Sequence, residues 1–354
     1  MAEATHEIQI NRLYKIFGPN GAAHVADVEA GMTKEELKAK HNHVLGLDDI
    51  TLTIPAGKIQ VVMGLSGSGK STLIRHINRL IEPTSGEVIF EDRDIVKMSQ
   101  TELRQFRREK TAMVFQKFAL FPHRTVLENT TYGLNIRGVG EKEAGERARR
   151  WISRVGLDGF EESYPNQLSG GMQQRVGLAR ALTNDAEILL MDEAFSALDP
   201  LIRTDMQSVL LDLQAELHKT IIFITHDLDE ALRLGDRIAI LRDGRIIQQG
   251  TGEQIVLRPA DDYISSFVRD VNRGHVISVR TIMRKGERAE TSVTLTATTL
   301  LEEAARAMTN AETNRANIVS RDGTHLGVIT LQKCVTEMIA PDDSEAVDPE
   351  VQVA

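Results

Sequence analysis

The sequence predicts an α/β protein: a domain built on a parallel core sheet, broken by a helical segment, then a small α+β unit. Three observations carry this. Ile59-Gln60-Val61-Val62-Met63 is an apolar run of the kind a strand buried on both faces shows. It leads into a glycine loop and then into helically spaced apolar residues from Ser71 to Ile77. Further short apolar runs lie at 112–115, 188–191, 221–224 and 238–241, with helical patterns among them, which is the alternation of a parallel sheet with crossovers. The character then changes twice, to helices from Pro122 to Gln167 and to a separate unit beyond about Asp270.

The elements follow in order. Ile8 to Tyr14 alternates apolar and polar residues as a strand does and ends in Lys15-Ile16-Phe17-Gly18. The polar segment from Pro19 to His43 holds a short helix, opened by the capping-box pattern Thr33-Lys34-Glu35-Glu36. Extended structure resumes from Leu45 to Ile54, and Pro55-Ala56-Gly57 turns the chain into the strand before the glycine loop. Glu87 to Phe90 is a short strand, Thr101 to Lys110 a charged helix, and Ala112 to Phe115 an apolar strand that stops at Gln116.

In the helical segment, Glu128 to Gly133 and Glu141 to Val155 read as helices, with Trp151 in their core and Arg147, Arg149 and Arg150 on a solvated face. Ile188 to Met191, Ile221 to Ile224 and Ile238 to Leu241 are core strands, with an amphipathic helix from Leu201 to Leu217 between the first two. Asp243-Gly244 is a hairpin turn into Arg245 to Gln248. The last unit reads as a helix capped at Thr299-Leu300 and running to Met308, strands at 316–320 and 325–329 around the turn Asp322-Gly323, and a helix from Leu331 to Met338. The tail from Pro341, rich in Asp, Glu and Pro, reads as disordered.

Bulk properties exclude several classes. A net charge of −9, from 42 basic and 51 acidic residues among 354, argues against a general nucleic-acid binder. No apolar stretch approaches the ~20 residues of a spanning helix, and Met1 to Glu7 lacks the basic and apolar regions of a signal peptide. A single cysteine, Cys334, excludes an intramolecular disulfide, fits a reducing compartment and reads as a small residue on a helix face.

Gly64-Leu65-Ser66-Gly67-Ser68-Gly69-Lys70-Ser71 matches the phosphate-loop pattern G-x-x-x-x-G-K-[S/T] at every fixed position. Small residues let successive N–H groups curl around a phosphate chain, and the helix N-terminus adds positive potential. Lys70 is then placed for the β- and γ-phosphates and the Ser71 hydroxyl for Mg²⁺. Ligands of such sheets gather at the carboxyl ends of the strands. Asp192 and Glu193 end one strand, suited to holding Mg²⁺ and polarising an attacking water; His226 follows another; Gln116 ends a third, suited to Mg²⁺ or the water. Leu168-Ser169-Gly170-Gly171-Met172-Gln173-Gln174-Arg175 opens another helix with a second anion-binding N-terminus. One phosphate loop needs no second such site, so Ser169 and its glycines make sense covering a triphosphate held by another copy of the chain.

Taken in this order, the phosphate loop, Gln116, Leu168 to Gln173, Asp192-Glu193, Ser196-Ala197-Leu198-Asp199 and His226 resemble those of ABC transporter ATPases over about residues 8 to 250. The resemblance implies a P-loop NTPase (ABC ATPase) domain at 1–270, with an antiparallel β subdomain and a helical subdomain at about 122–180. It places ATP on Gly64, Ser66, Gly67, Ser68, Gly69, Lys70, Ser71 and Thr72, with Phe17 stacked on adenine. Mg²⁺ falls to Ser71, Gln116 and Asp192, and catalysis to Glu193, His226, Gln116 and Lys70. It also implies a head-to-tail homodimer in which Ser169, Gly170, Gly171 and Gln173 close the partner's site and Asp199 lies at the seam.

Met63 to Ser66, Phe115 to His123 and Met191 to Arg203, with Ala194 after the glutamate, are similar to the ATPase subunits of glycine betaine/proline betaine importers. The segment between Phe17 and Leu45 fits the same subfamily. The implied protein couples ATP-driven dimer closure to integral membrane permease subunits at the cytoplasmic face of the membrane, served indirectly by a periplasmic or extracellular solute-binding protein, for glycine betaine, proline betaine or choline-type cargo. The unit at 276–340 resembles a single CBS module, and two chains in a dimer would pair their copies. The competing readings are an importer ATPase for another small cationic or amino-acid solute, and a soluble ABC ATPase acting on nucleic acid or ribosomes; proteins of the latter kind usually carry two ATPase domains in one chain or a long coiled coil, and neither appears here.

Overall fold

A computed structural model describes residues 6–116, 118–196 and 198–339. The expected disordered tail from Pro341, and Lys117 and Ala197 of the quoted motifs, lie outside the described residues. The chain divides into two compact units after Thr251.

The first unit opens with β1 (Ile8–Phe17). A connecting segment holds α1 (Val25–Glu29) and α2 (Lys34–His41), and β2 (Val44–Ile54) returns antiparallel to β1. The expected capping box is present: Thr33 Oγ1 accepts from Glu36 N, and Glu36 accepts from Thr33 N. β3 (Ile59–Met63) leads through the glycine loop into α3 (Lys70–Ile77). β4 (Ser85–Phe90) and β5 (Arg93–Asp94) complete an antiparallel sheet of order β2-β1-β4-β5. α4 (Gln100–Glu109), capped by Ser99, then feeds β6 (Thr111–Val114).

α5 (Val126–Ile136), α6 (Glu141–Arg154) and α7 (Gly170–Thr183) pack on one another as the helical subdomain. Trp151 is buried there, while Arg147, Arg149 and Arg150 are exposed. Fully buried Asn129 bonds the Phe121, Arg124 and Thr125 carbonyls and accepts from Phe121 N, pinning the stretch that follows Gln116.

The chain returns through β7 (Ile188–Asp192), α8 (Pro200–Leu217), β8 (Thr220–Thr225), α9 (Leu228–Leu234), β9 (Arg237–Arg242) and β10 (Arg245–Gly250). The core sheet has order β10-β9-β3-β8-β7-β6, parallel except for the β9–β10 hairpin. That hairpin turns on Asp243 and Gly244, both at positive φ, as a two-residue primed turn requires. Every residue of β3, β7 and β8 is buried, which is why these strands read as unbroken apolar runs. α3 lies between the two sheets: Leu73, Ile74 and Ile77 share a core with Ile10, Leu52 and Val88 of one sheet and Val62, Leu190 and Ile224 of the other.

The second unit begins earlier than expected. α10 (Gly252–Leu257) and α11 (Asp262–Val268) belong to it, so the division falls at Thr251 rather than near 270. The cause is bonding to residues further along the chain: Glu253 accepts from Ser278 N, Arg273 donates to the Val256 carbonyl, and Leu257 packs on the C-terminal core. After α12 (Val279–Ile282), β11 (Arg284–Lys285) and β12 (Thr294–Thr296) come α13 (Leu301–Asn310), β13 (Arg315–Val319), β14 (His325–Thr330) and α14 (Leu331–Met338). The sheet order is β11-β14-β13-β12. Thr299 does not cap α13; Leu300 holds that position without a side-chain bond. Cys334 is buried in this core, and burial pushes its thiol up to about 11, so it is a packing residue with little thiolate character.

His76 on α3 carries a pH dependence. Its ring is fully buried, Nδ1 donates to the Thr72 carbonyl at 2.6 Å, and burial pushes the imidazole down to about 4. An unfolded histidine titrates near ~6.5, so below that pH the unfolded chain takes up the proton first. The stabilisation is complete above about 6.5 and is lost as pH falls through about 4, a change of up to roughly 3 kcal/mol. Chemical denaturation from pH 7.5 to 4.5 should show a flatter stability curve for His76→Gln than for the native chain; identical slopes would rule this coupling out.

Candidate active site

The glycine loop holds its shape by close backbone approach. Gly64 lies at φ +151°, and a Cβ there would fall 2.2 Å from the Leu241 carbonyl oxygen. Gly69 lies at φ +106°, and its Cβ would meet the Gly46 carbonyl at 2.7 Å. The hairpin tip backs the loop, since Gly244 N donates to Ser68 O and Asp48 N donates to Gly244 O. The loop is thereby wedged between the core sheet and the antiparallel sheet.

Lys70 turns back into the loop it ends. Its side chain is 4% exposed, and Nζ donates to the carbonyls of Gly64 at 2.7 Å and Leu65 at 3.0 Å. Burial lowers its pKa, opposed by Glu193, 3.9 Å away, and by Asp192. Ser71 Oγ donates to Asp192 Oδ1 at 2.8 Å, and Arg75 pairs with the other oxygen at 3.1 Å. Hydroxyl and carboxylate on one side of the loop form the oxygen set a hard divalent cation takes. Ser68 Oγ is buried with no hydrogen-bond partner, and the loop's donors surround a cleft of about 390 Å³. These features fit a Mg²⁺-bound triphosphate.

Gln116, His226 and Lys70 converge on Glu193. It sits at φ +46°, a left-handed conformation that costs a non-glycine residue about 1 kcal/mol or more, held by its N–H to the Ile224 carbonyl and by Ser196, whose Oγ and N both donate to the Glu193 carbonyl. Its carboxylate accepts from Gln116 Nε2 at 2.9 Å and lies 3.8 Å from His226 Nδ1. His226 is 56% exposed. Its neighbours are anchored: Thr225 Oγ1 donates to buried Glu230 and accepts from Asp227 N, and Asp227 caps α9.

Phe17, Ser66, Gly67, Gly69, Lys70, Ser71, Thr72, Gln116 and Glu193 all line the cleft. Lys34, Val44, Leu45 and Gly46 line it as well and were not legible as site residues. Gly46 alone left a signal, an isolated glycine inside a strand pattern, which marks close approach of another group; here that group is the Phe17 ring, 2.6 Å from where a Cβ would stand. Ser169, Gly170, Gly171, Gln173 and Asp199 do not line the cleft of their own chain. Ser169 caps α7 by accepting from Met172 N, Gln173 donates to the Leu168 carbonyl, and Asp199 caps α8.

Fold and site together define an ATP-hydrolysing P-loop domain. The ABC transporter family model matches residues 47–196. The glycine betaine transport ATP-binding protein OpuAA of Bacillus subtilis is 54% identical over 281 residues, 79% of this chain and 67% of that protein. The glycine betaine/proline betaine transport ATP-binding protein ProV of Escherichia coli is 52% identical over 279 residues, 79% of this chain and 70% of that one. This chain therefore belongs to the family of ABC transporter ATP-binding proteins. Among solved structures, the dimeric bacterial ABC transporter cassette MJ0796 aligns with a TM-score of 0.60 at 33% identity, over 69% of this chain and 98% of that one. A dimeric post-hydrolysis state of the same cassette, bound to ADP and Pi, aligns equally well at 32% identity. No helix among the described residues is long and apolar enough to cross a membrane.

The glycines make separable demands. Gly64→Ala should lower unfolding stability by about 1–3 kcal/mol and abolish measurable nucleotide binding, because its Cβ collides with backbone. Gly67→Ala, whose Cβ meets nothing within 4 Å, should cost only the positive-φ penalty of about 1 kcal/mol. Denaturant titration and fluorescent-nucleotide binding on both variants check the ordering; equal losses would refute it.

Proposed function

We propose that the chain is the ATP-hydrolysing subunit of an importer for glycine betaine and related quaternary amines, acting as a homodimer on the cytoplasmic face of the membrane beside integral permease subunits. The observation that carries this reading is the half-site. One chain lines the cleft with Lys70, Ser71, Gln116 and Glu193, with Asp192 bonded to Ser71 and His226 beside Glu193, while Ser169, Gly170, Gly171 and Gln173 stand at a helix N-terminus elsewhere. A helix N-terminus presents unpaired N–H groups to an anion. In the homodimer these residues cover the γ-phosphate held by the partner's loop, and Asp199 lies at the seam. The cargo reading rests on the glycine betaine transport relatives. A solute-binding protein delivers that cargo to the permease, and nucleic acid has no part in the cycle.

The residues divide the chemistry. Phe17, 39% exposed at the end of β1, stacks on adenine. The N–H groups from Gly64 to Thr72 hold the phosphates, and the Lys70 ammonium exchanges the Gly64 and Leu65 carbonyls for phosphate oxygens. Ser71, Asp192 and Gln116 hold Mg²⁺, which when bound neutralises charge on the phosphate oxygens. Glu193 orients the attacking water and accepts its proton, with His226 holding the water on the γ-phosphate side. Gln116 reports the result, because the segment after it runs into the helical subdomain. A groove of about 440 Å³ there is lined by Phe115, Phe121, Tyr132 and Ile136 with Arg107 and Arg180, and it suits a permease segment with an apolar face and acidic ends. The unit from 276 to 340 acts as a CBS-like regulatory module, its two copies paired across the dimer.

Glu193→Gln should retain ATP binding, accumulate as an ATP-bound dimer and lose turnover by about 100-fold or more. Uptake of labelled glycine betaine by the complete complex should fall in parallel. Near-native turnover in this variant would sink the base assignment, and native complexes that move no quaternary amine would sink the cargo. Ile136→Asp should leave ATP binding intact and release the chain from membranes carrying the permease; full retention in a membrane pellet would overturn the docking groove.

A further inference from the structure

The segment joining β1 to β2 has a small core of its own, Val28 and Leu37 packed with Ile16 and Leu45. On it, His24 at the start of α1, Asp27 one turn later and His41 at the end of α2 bring one ligand atom each to within 4.8 Å of one another. His24 Nδ1 lies 3.4 Å from Asp27 Oδ2, and the His24 and His41 rings stand 4.1 Å apart between centroids.

His43 supports this group without belonging to it. Its ring packs against His24 at 4.7 Å, while both its nitrogens are engaged by main-chain carbonyls, His41 and Pro19, each at 2.7 Å. It therefore packs on the His24 ring and ties the exit of α2 to the Pro19 carbonyl. The other comparable cluster among the described residues, His6, Glu91 and Glu187, is already served by a cation: Lys110 Nζ lies 2.7 Å from Glu91 and 2.6 Å from Glu187. Among the described residues no lysine or arginine pairs with Asp27 in that way, and its ion pair is with His24.

Two imidazoles and one carboxylate suit zinc and its first-row neighbours and disfavour Mg²⁺ and Ca²⁺, which take oxygen. Around an ion with bonds of about 2.0–2.2 Å, ligand atoms stand roughly 3.3–3.5 Å apart. His24 and Asp27 already meet that spacing, and exposed His41 reaches it by side-chain rotation. We propose that His24, Asp27 and His41 form a binding site for a divalent first-row transition ion, zinc being the type, which clamps the start of α1 to the end of α2. The clamp stiffens one wall of the nucleotide cleft. α2 begins at Lys34 and β2 follows it with Val44 to Gly46, all in the cleft lining, and the His43 ring fills the space beside Gly18, next to Phe17.

Zinc titration of the untagged full chain against a chromophoric chelator tests this. The native chain should take up one zinc per chain at low micromolar or tighter affinity, with millimolar Mg²⁺ failing to compete. His24→Ala and His41→Gln should each weaken uptake by about 30-fold or more, and His6→Ala should leave it unchanged. Thermal unfolding without metal shows whether each variant is folded; His41 is exposed at a helix end, so its variant keeps the test alive if His24→Ala is not. Undiminished uptake in the folded variants, or no uptake by the native chain below 100-fold excess zinc, would overturn the site.

Discussion

The register of four buried parallel strands is the constraint on which the site depends. Val114 pairs with Met191, Asp192 with Ile224, and Met63 with Thr225, so β6, β7, β8 and β3 end within a residue or two of one another. Gln116, Glu193, His226 and the glycine loop follow those ends directly, and they meet at the Glu193 carboxylate. A slip of one residue in any strand reverses the faces of its side chains. Complete burial of three of these strands makes such a slip costly, so the hydrophobic core and the catalytic geometry are set by the same pairing.

The second constraint is the closeness of two backbones to the loop. Gly64 against Leu241, Gly69 against Gly46, and Gly244 against Gly46 leave no room for side chains. These contacts, with α3 packed between the sheets, couple the antiparallel sheet to the core sheet at the place where phosphates bind. Phe17 and Lys34 on one side and Lys70 and Ser71 on the other therefore line one cleft. Lys70 is buried against carbonyls and two carboxylates in a site built for a phosphate chain, a polar interior held ready for charge that arrives with the ligand.

In the proposed homodimer the cleft is half of a site. The Ser169 segment has the loop's chemistry, N–H groups at the start of a helix, but does not line the cleft of its own chain. Under that proposal, separating the halves would make hydrolysis depend on assembly, the motion an importer needs. Gln116 lies where the cleft meets the helical subdomain, with Asn129 bracing the stretch that follows.

The sequence by itself determined the core strands, the phosphate loop, the strand-end residues Gln116, Asp192, Glu193 and His226, and the Thr33 capping box, because each depends on local period or on residue type next to a strand end. It missed what depends on distant partners. The unit boundary moved from 270 to 251 because Glu253, Val256 and Leu257 find their partners further along the chain. Thr299 looked like a cap and is not one. Val44 and Leu45 carry no motif and reach the cleft because β2 pairs with β1 and brings them beside Phe17, while Lys34 reaches it from the start of α2. The meeting of His24, Asp27 and His41 is of the same kind: it requires α1 and α2 to pack, and only the tertiary structure decided that.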